Sequence, residues 1–222
     1  MRGKVLGASM MRFTISILGV LSCIVVATGV SAAESGQQGV KTSPFMRVFG
    51  PSQPPYGFVR FCETRSDDCA PQKLGERRLD PTPERLSELD EINRGVNRAV
   101  QPATDVEIYG VSEYWTIPVN KGDCEDYALL KQRLLEQRGW PLSALLLTVV
   151  RDEKGEGHAV LTVRTSQGDF ILDNKVDDVR IWNKSGYQFV MRQSYLDPRV
   201  WVSLDPSEGT VPAAIAGNRS GQ

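Results

Sequence analysis

Leu145-Leu-Leu-Thr-Val-Val-Arg-Asp-Glu-Lys-Gly-Glu-Gly-His-Ala-Val-Leu-Thr-Val163 is the stretch where the chain changes its period. Residues 145–150 are an apolar run of strand length with Thr148 its one polar member, 152–157 carry turn residues, and 159–163 form a second such run. Ser166-Gln-Gly-Asp169 marks another turn, into a third strand at 170–172, and residues 186–192 and 200–204 are further strand candidates. Upstream the pattern is helical. Thr82 is an N-cap with Pro83 at the first helical position, and Leu86, Leu89, Val96 and Val100 recur at helical spacing, so a helix is predicted over 82–100. A second helix is predicted from Cys124 to Arg138, capped by Asp123, with Tyr127, Leu130 and Leu134 toward the core and Gly139 and Pro141 ending it. The residues between them, including Tyr109, Tyr114, Trp115 and Pro118, read as loop. Helices first and strands after, joined by hairpin-length links, predict an α+β fold with an antiparallel sheet.

Working outward to the ends, Arg2, Lys4 and Arg12 precede an apolar stretch at 13–30, and Ser31-Ala-Ala33 follow it. That is the layout of a cleaved secretory signal peptide over residues 1–33. A membrane anchor is the alternative reading, disfavoured by the Ser, Thr and Gly content of the run. Residues 34–57 read as an extended, mostly irregular lead-in, 58–204 as the folded domain and 205–222 as a disordered tail. Loss of the peptide takes the formal net charge from −1 to −4 and leaves no basic run, which argues against nucleic acid and against an anionic membrane surface as partners. In an exported chain Cys62 and Cys69 are expected to form a small disulfide loop, two free thiols being the alternative. Cys124 then remains unpaired.

Three residues carry the chemistry. Cys124 stands at a helix start in Lys121-Gly-Asp-Cys-Glu-Asp-Tyr-Ala128; His158, the single histidine, opens the second strand; Asp173 closes Phe170-Ile-Leu-Asp-Asn174. A nucleophilic thiolate needs a base to form it, and the base needs a partner that fixes its tautomer. The bland readings are a buried cysteine acting as a small hydrophobe and a structural histidine. A zinc site is weak, since ligand pairs at short spacing are missing. A helix N-terminus favours thiolate, yet Asp123, Glu125 and Asp126 flank Cys124 and oppose it. A hard divalent cation such as Ca²⁺ would relieve the conflict; the alternative is that Asp123 only caps the helix. One geometric tension stands: a hairpin turning at 166–168 leaves His158 and Asp173 offset by up to ~10 Å, which calls for a bulge, a longer loop or strong twist.

Taken together, Gly122-Asp-Cys-Glu-Asp-Tyr-Ala128, Gly157-His-Ala-Val-Leu161 and Leu172-Asp-Asn174 resemble the bacterial transglutaminase-like cysteine proteinases, which include the LapG-type periplasmic adhesin proteases. The resemblance runs from about Ser43 to Leu204. It implies a papain-like/transglutaminase-like core in which the helix bearing the nucleophile packs on an antiparallel sheet. It also implies a Cys, His, Asp triad, with Cys124 as nucleophile, His158 as general base and acid, and Asp173 as its orienter. Asp123 and Glu125 match the family's Ca²⁺-binding positions, with Asp126 a further ligand candidate. A periplasmic location, with secretion as the alternative, follows from the same resemblance. So do a protein substrate, a cell-surface protein in the LapG-type case, and an inner-membrane receptor; the Cys62/Cys69 loop points to a separate branch. For the oxyanion, the Cys124 backbone N–H is one donor candidate and the Trp115 indole another, a core role for Trp115 being the alternative. Two rival functions share these residues: a transglutaminase or amidase using the same acyl-enzyme, and a catalytically silent Ca²⁺-dependent binding module.

Overall fold

The apolar run at 145–150 and the two runs after it form the middle of a sheet. The computed structural model describes residues 42–70 and 78–207; the predicted signal peptide, the start of the predicted lead-in and the tail beyond 207 lie outside the described residues. In chain order the elements are β1 (Gly50–Ser52), α1 (Tyr56–Thr64), α2 (Pro83–Ala99), β2 (Gln101–Pro102), α3 (Asp105–Tyr109), β3 (Lys121–Gly122), α4 (Cys124–Gln137), β4 (Leu145–Arg151), β5 (Gly157–Thr165), β6 (Gly168–Leu172), β7 (Arg180–Ile181), β8 (Gln188–Gln193) and β9 (Trp201–Ser203). Seven strands make one sheet in the order β1-β9-β8-β4-β5-β6-β7, every neighbouring pair antiparallel. β2 and β3 pair separately and in parallel. The architecture is α+β, with α2 and α4 packed on the sheet. Among the described residues no helix is long and apolar enough to cross a membrane.

Both faces of the sheet are covered, which is why β4 and β5 read as continuous apolar runs rather than alternating ones. Leu145, Leu147, Leu161, Val163 and Leu172 face the helices and pack with Leu89, Ile92 and Val96 of α2 and with Ala128, Leu129 and Leu135 of α4. Val150, Val160, Ile171 and Phe189 face the other way and are closed over by Met46, Leu204, Trp182 and Tyr187. Polar residues on that second face pair across strands, as Thr148 and Thr162 do with hydroxyls 2.6 Å apart.

Several elements differ from the expectation. Thr82 caps α2 as predicted, its hydroxyl accepting from the Arg85 N–H. Asp123 occupies the N-cap position of α4, yet its side chain makes no capping bond. The lead-in includes a paired edge strand, β1, opposite β9, and the start of α1. Pro54 and Pro55 hide α1 from a periodicity reading; the helix is held by Phe58 and Phe61 against Trp115 and Trp201. A disulfide joins Cys62 at its end to Cys69, Cα atoms 5.4 Å apart. The segment read as loop holds α3, set by a capping box in which Thr104 and Glu107 bond each other's backbone N–H.

Candidate active site

The site forms where α4 begins against the start of β5. Sγ of Cys124 accepts a hydrogen bond from the backbone N–H of Ala159, the residue after His158, and lies 3.3 Å from Glu125 Oε2. The thiol is half-buried and, among the described residues, is the free cysteine. Burial pushes it well above its ordinary pKa, and the Glu125 charge pushes in the same direction.

His158 is buried, and its Nε2 is 2.9 Å from Asp173 Oδ1. The expected offset between these residues closes without a bulge. Thr165 pairs with Gly168, one residue tighter than the reading from sequence, so the hairpin register runs on to Leu161 opposite Leu172. Asp173 therefore falls beside Val160, one diagonal step from His158, within reach of an imidazole and a carboxylate. The register shift in this region lies elsewhere, between β4 and β8 at Val149/Val150.

Asp173 is held by more than the histidine. Tyr187 donates its hydroxyl to Oδ2 at 2.6 Å, the Lys175 N–H donates to Oδ1 at 2.9 Å, and Asn93 and Asn97 of α2 fix its backbone N–H and carbonyl. Burial alone would raise the carboxyl pKa, but the bonds from His158, Tyr187 and Lys175 outweigh it and hold the group below its ordinary value. The Tyr187 ring also meets His158 edge-on, centroids 5.6 Å apart. Tyr187 escaped the sequence reading because a tyrosine at a strand start carries no signal of its own.

Beside the thiol lies a group of carboxylates. Ligand oxygens of Asp105, Asp123 and Asp126 all lie within 4.8 Å of one another. Asp105 Oδ1, Asp123 Oδ1 and Asp126 Oδ2 are buried without a hydrogen-bond partner. Glu125, also buried, adjoins Asp123 and Asp105. Burial pushes the Asp126 carboxyl up to about 7 against the pull of the Thr116 N–H, and it raises Asp105 against that of the Tyr114 N–H. Glu125 is pushed up by burial and then by the Asp123 charge. An all-oxygen set with unpartnered lone pairs suits a hard cation and no soft one. The sequence reading named Asp123, Glu125 and Asp126 but missed Asp105, which the β2–β3 pairing and the Ala103 N–H bond to the Gly122 carbonyl bring in from α3.

Trp115 is not placed as an oxyanion donor. It is buried in the core with Phe58 and Trp201, and its indole N–H donates to Glu113 Oε2 at 3.2 Å. The Cβ that any residue but glycine would bring to position 57 would lie 2.2 Å from its ring, so Gly57 makes room for it.

The family model of the bacterial transglutaminase-like cysteine proteinases matches residues 48–209. The chain belongs to this family. Three solved structures of Legionella pneumophila LapG are similar to it. The calcium-bound form is 26% identical, with a TM-score of 0.44, over 51% of this chain and 66% of that one. A second is 27% identical, with a TM-score of 0.43, over 51% and 65%. An EGTA-treated form is 28% identical, with a TM-score of 0.42, over 48% and 61%. The chain thus spans less than two thirds of the length of these LapG chains. No curated protein matches it. As a family, these are cysteine proteinases on a transglutaminase-like fold, which accords with a half-buried thiol at a helix start beside a histidine-bearing strand.

Proposed function

We propose that this proteinase is exported to the periplasm and hydrolyses an amide bond of a protein substrate through Cys124, His158 and Asp173. The observation that carries the reading is the 2.9 Å bond from His158 Nε2 to Asp173 Oδ1, made beside a thiol seated on the Ala159 N–H. With Nε2 committed to Asp173, the other ring nitrogen, Nδ1, is left to serve the thiol. His158 takes the thiol proton, and the sulfur attacks the amide carbonyl carbon. The C–N bond breaks as His158 returns the proton to the leaving amine, leaving a thioester. Water, deprotonated by His158, attacks the thioester carbon, and the thiol leaves with the proton. The Cys124 backbone N–H, free at the first turn of α4, is the oxyanion donor in this scheme. Asp173 keeps the ring in one tautomer and stabilises the imidazolium.

Asp105, Asp123 and Asp126, with Glu125 beside them, would hold a Ca²⁺ ion. When bound, the ion would offset the carboxylate charge that pushes the thiol pKa up. The receptor and a cell-surface substrate belong to the proposal only through the family resemblance. The test is iodoacetamide labelling at pH 6 of the chain and its Cys124→Ala variant, with Ca²⁺ and with EGTA, followed by peptide digestion. Fast labelling that requires Cys124 and slows with EGTA, together with new peptide termini, is the expected result. Labelling no faster than an ordinary thiol in either condition sinks it in favour of a binding module. Ammonia release from glutamine substrates without new termini would make the chain an amidase or transglutaminase.

A further inference from the structure

Lys175 bridges the two chain segments that present His158 and Asp173. Its backbone N–H donates to Asp173 Oδ1 at 2.9 Å, the same oxygen that His158 Nε2 meets at 2.9 Å. Its side chain makes a second contact, with Nζ 2.8 Å from Asp152 Oδ2. Asp152 opens the turn between β4 and β5, whose last pairs are Val150 with His158 and Arg151 with Gly157. The turn is organised around this aspartate. Its Oδ1 accepts from the N–H groups of Lys154 and Glu156 at 2.9 and 3.0 Å. Its own N–H donates to the Glu156 carbonyl at 3.0 Å, and its carbonyl accepts from the Gly155 N–H at 2.9 Å. Lys175 therefore ties the loop that carries Asp173 to the turn that leads through Gly157 into His158.

We propose that Lys175 is a positioning residue whose bridge to Asp152 fixes the turn before His158 against the Asp173 loop and so holds the His158–Asp173 bond, resting on the catalytic roles proposed above. The register shows why a bridge is needed. β5 and β6 pair from Thr165–Gly168 to Leu161–Leu172, so His158 and Asp173 both lie beyond the last paired positions of that hairpin. On its other side His158 is held only to β4. The Asp173 loop is fixed from α2, where Asn93 accepts from the Asp173 N–H and donates to the Val176 and Asp177 carbonyls. Those bonds do not reach the His158 strand, and the Lys175–Asp152 pair does. The other charged residues of the turn do not compete for Lys175. Arg151 donates to the Gly155 carbonyl at 3.3 Å, and Glu153, Lys154 and Glu156 are exposed. The Lys175 ammonium holds the Asp152 carboxyl down at about 2. Burial opposes the Lys175 charge, yet the bond to Asp152 keeps its pKa above the ordinary value, so both partners are charged at neutral pH. A partly exposed ion pair adds little to global stability, so its effect is local.

His158 is the single histidine of the chain, so its imidazole N–H is read without ambiguity by ¹H–¹⁵N NMR. The test measures exchange of the Nε2 proton with water at neutral pH in the full chain, in Lys175→Met, Lys175→Arg and Asp152→Asn, and in the Lys175→Met/Asp152→Asn double variant. Lys175→Met is expected to speed exchange about fivefold, the upper range for the loss of a surface ion pair, and Lys175→Arg to restore protection. Asp152→Asn keeps the Oδ1 acceptor of the turn and the Lys175 charge. It is nevertheless expected to match Lys175→Met, and the double variant to exceed neither. Melting temperature is expected to move little. Unchanged exchange in Lys175→Met overturns the proposal. So does exchange that rises in Lys175→Met but not in Asp152→Asn, because the lysine would then act as a charge and not as a bridge. Faster exchange with a matching loss of melting temperature would make Lys175 a structural support and also overturns it. A parent chain with no protected imidazole proton does the same, since no bond is there to hold. Should Lys175→Met fail to fold, Asp152→Asn decides in the same way. No turnover is read, so an inactive chain with the expected exchange pattern would count against the peptidase reading and leave the bridge standing.

Discussion

Asp173 shows how much one carboxylate can depend on neighbours far apart in the chain. Its two oxygens are shared among His158, Tyr187 and the Lys175 N–H, and its backbone is bolted to α2 through Asn93 and Asn97. Burial and hydrogen bonding pull its pKa in opposite directions, and the bonds win. The Tyr187 hydroxyl is a charge-assisted donor, a class worth about 1.5–3 kcal/mol. Tyr187→Phe is therefore expected to lower kcat/KM about tenfold while the fold survives, since the ring remains packed on His158. Steady-state kinetics beside a melting curve check this; full activity in the variant would remove Tyr187 from the positioning of Asp173. Cys124, His158 and Asp173 were legible as residue types in order. Tyr187 and Asp105 were not, because nothing local to either in the chain says what it will face.

Among the elements, the β3–α4 junction is the most constrained. Gly122 precedes the N-cap, and a Cβ there would come 2.5 Å from Asp126 Oδ2 and 2.8 Å from Asp126 Cβ. Gly122→Ala must therefore displace the Asp126 carboxylate and with it the Asp105, Asp123 and Asp126 group. The expected outcome is Ca²⁺ binding weakened by about tenfold or more by calorimetry, roughly the 1.4 kcal/mol of one lost charged contact. Unchanged affinity would take Asp126 out of the ligand set. The same junction explains why Asp123 does not cap: its buried Oδ1 has no hydrogen-bond partner, and the side chain belongs to the carboxylate group. α2, by contrast, follows its local signals closely, from the Thr82 cap to the apolar positions 89, 92 and 96. α1 and α3 were invisible to periodicity because they are short and depend on the core or on a single capping box.

For the whole molecule, the cost of gathering buried carboxylates at one helix start should appear in stability against pH. The folded-state pKa values of Asp105, Glu125 and Asp126 are raised, Asp126 to about 7, from unfolded values near 4. Between those limits these three groups bind more protons in the folded chain than in the unfolded one, so their contribution to stability falls as pH rises through that window. In EGTA, Tm is expected to fall by about 5 °C from pH 5 to pH 8, the equivalent of about 2 kcal/mol in a chain of this size. Ca²⁺ should restore most of that at pH 8 and little at pH 5, where protons already neutralise the group. Scanning calorimetry in both media measures it. A flat profile in EGTA would mean that the carboxylates are solvated and not gathered as described.

The amino-acid order alone determined the α+β class, the central hairpin, the α4 helix with its thiol and the identities of the proposed triad residues. These rest on local facts: the apolar period, turn residues, and the scarcity of cysteine and histidine. Only the tertiary structure decided the diagonal meeting of His158 and Asp173, which turns on a one-residue difference in hairpin register. It also decided the arrival of Asp105 through the β2–β3 pairing and the core role of Trp115. Those contacts join positions far apart in the chain, and their energies depend on burial and on distances of a few ångströms that no local pattern encodes.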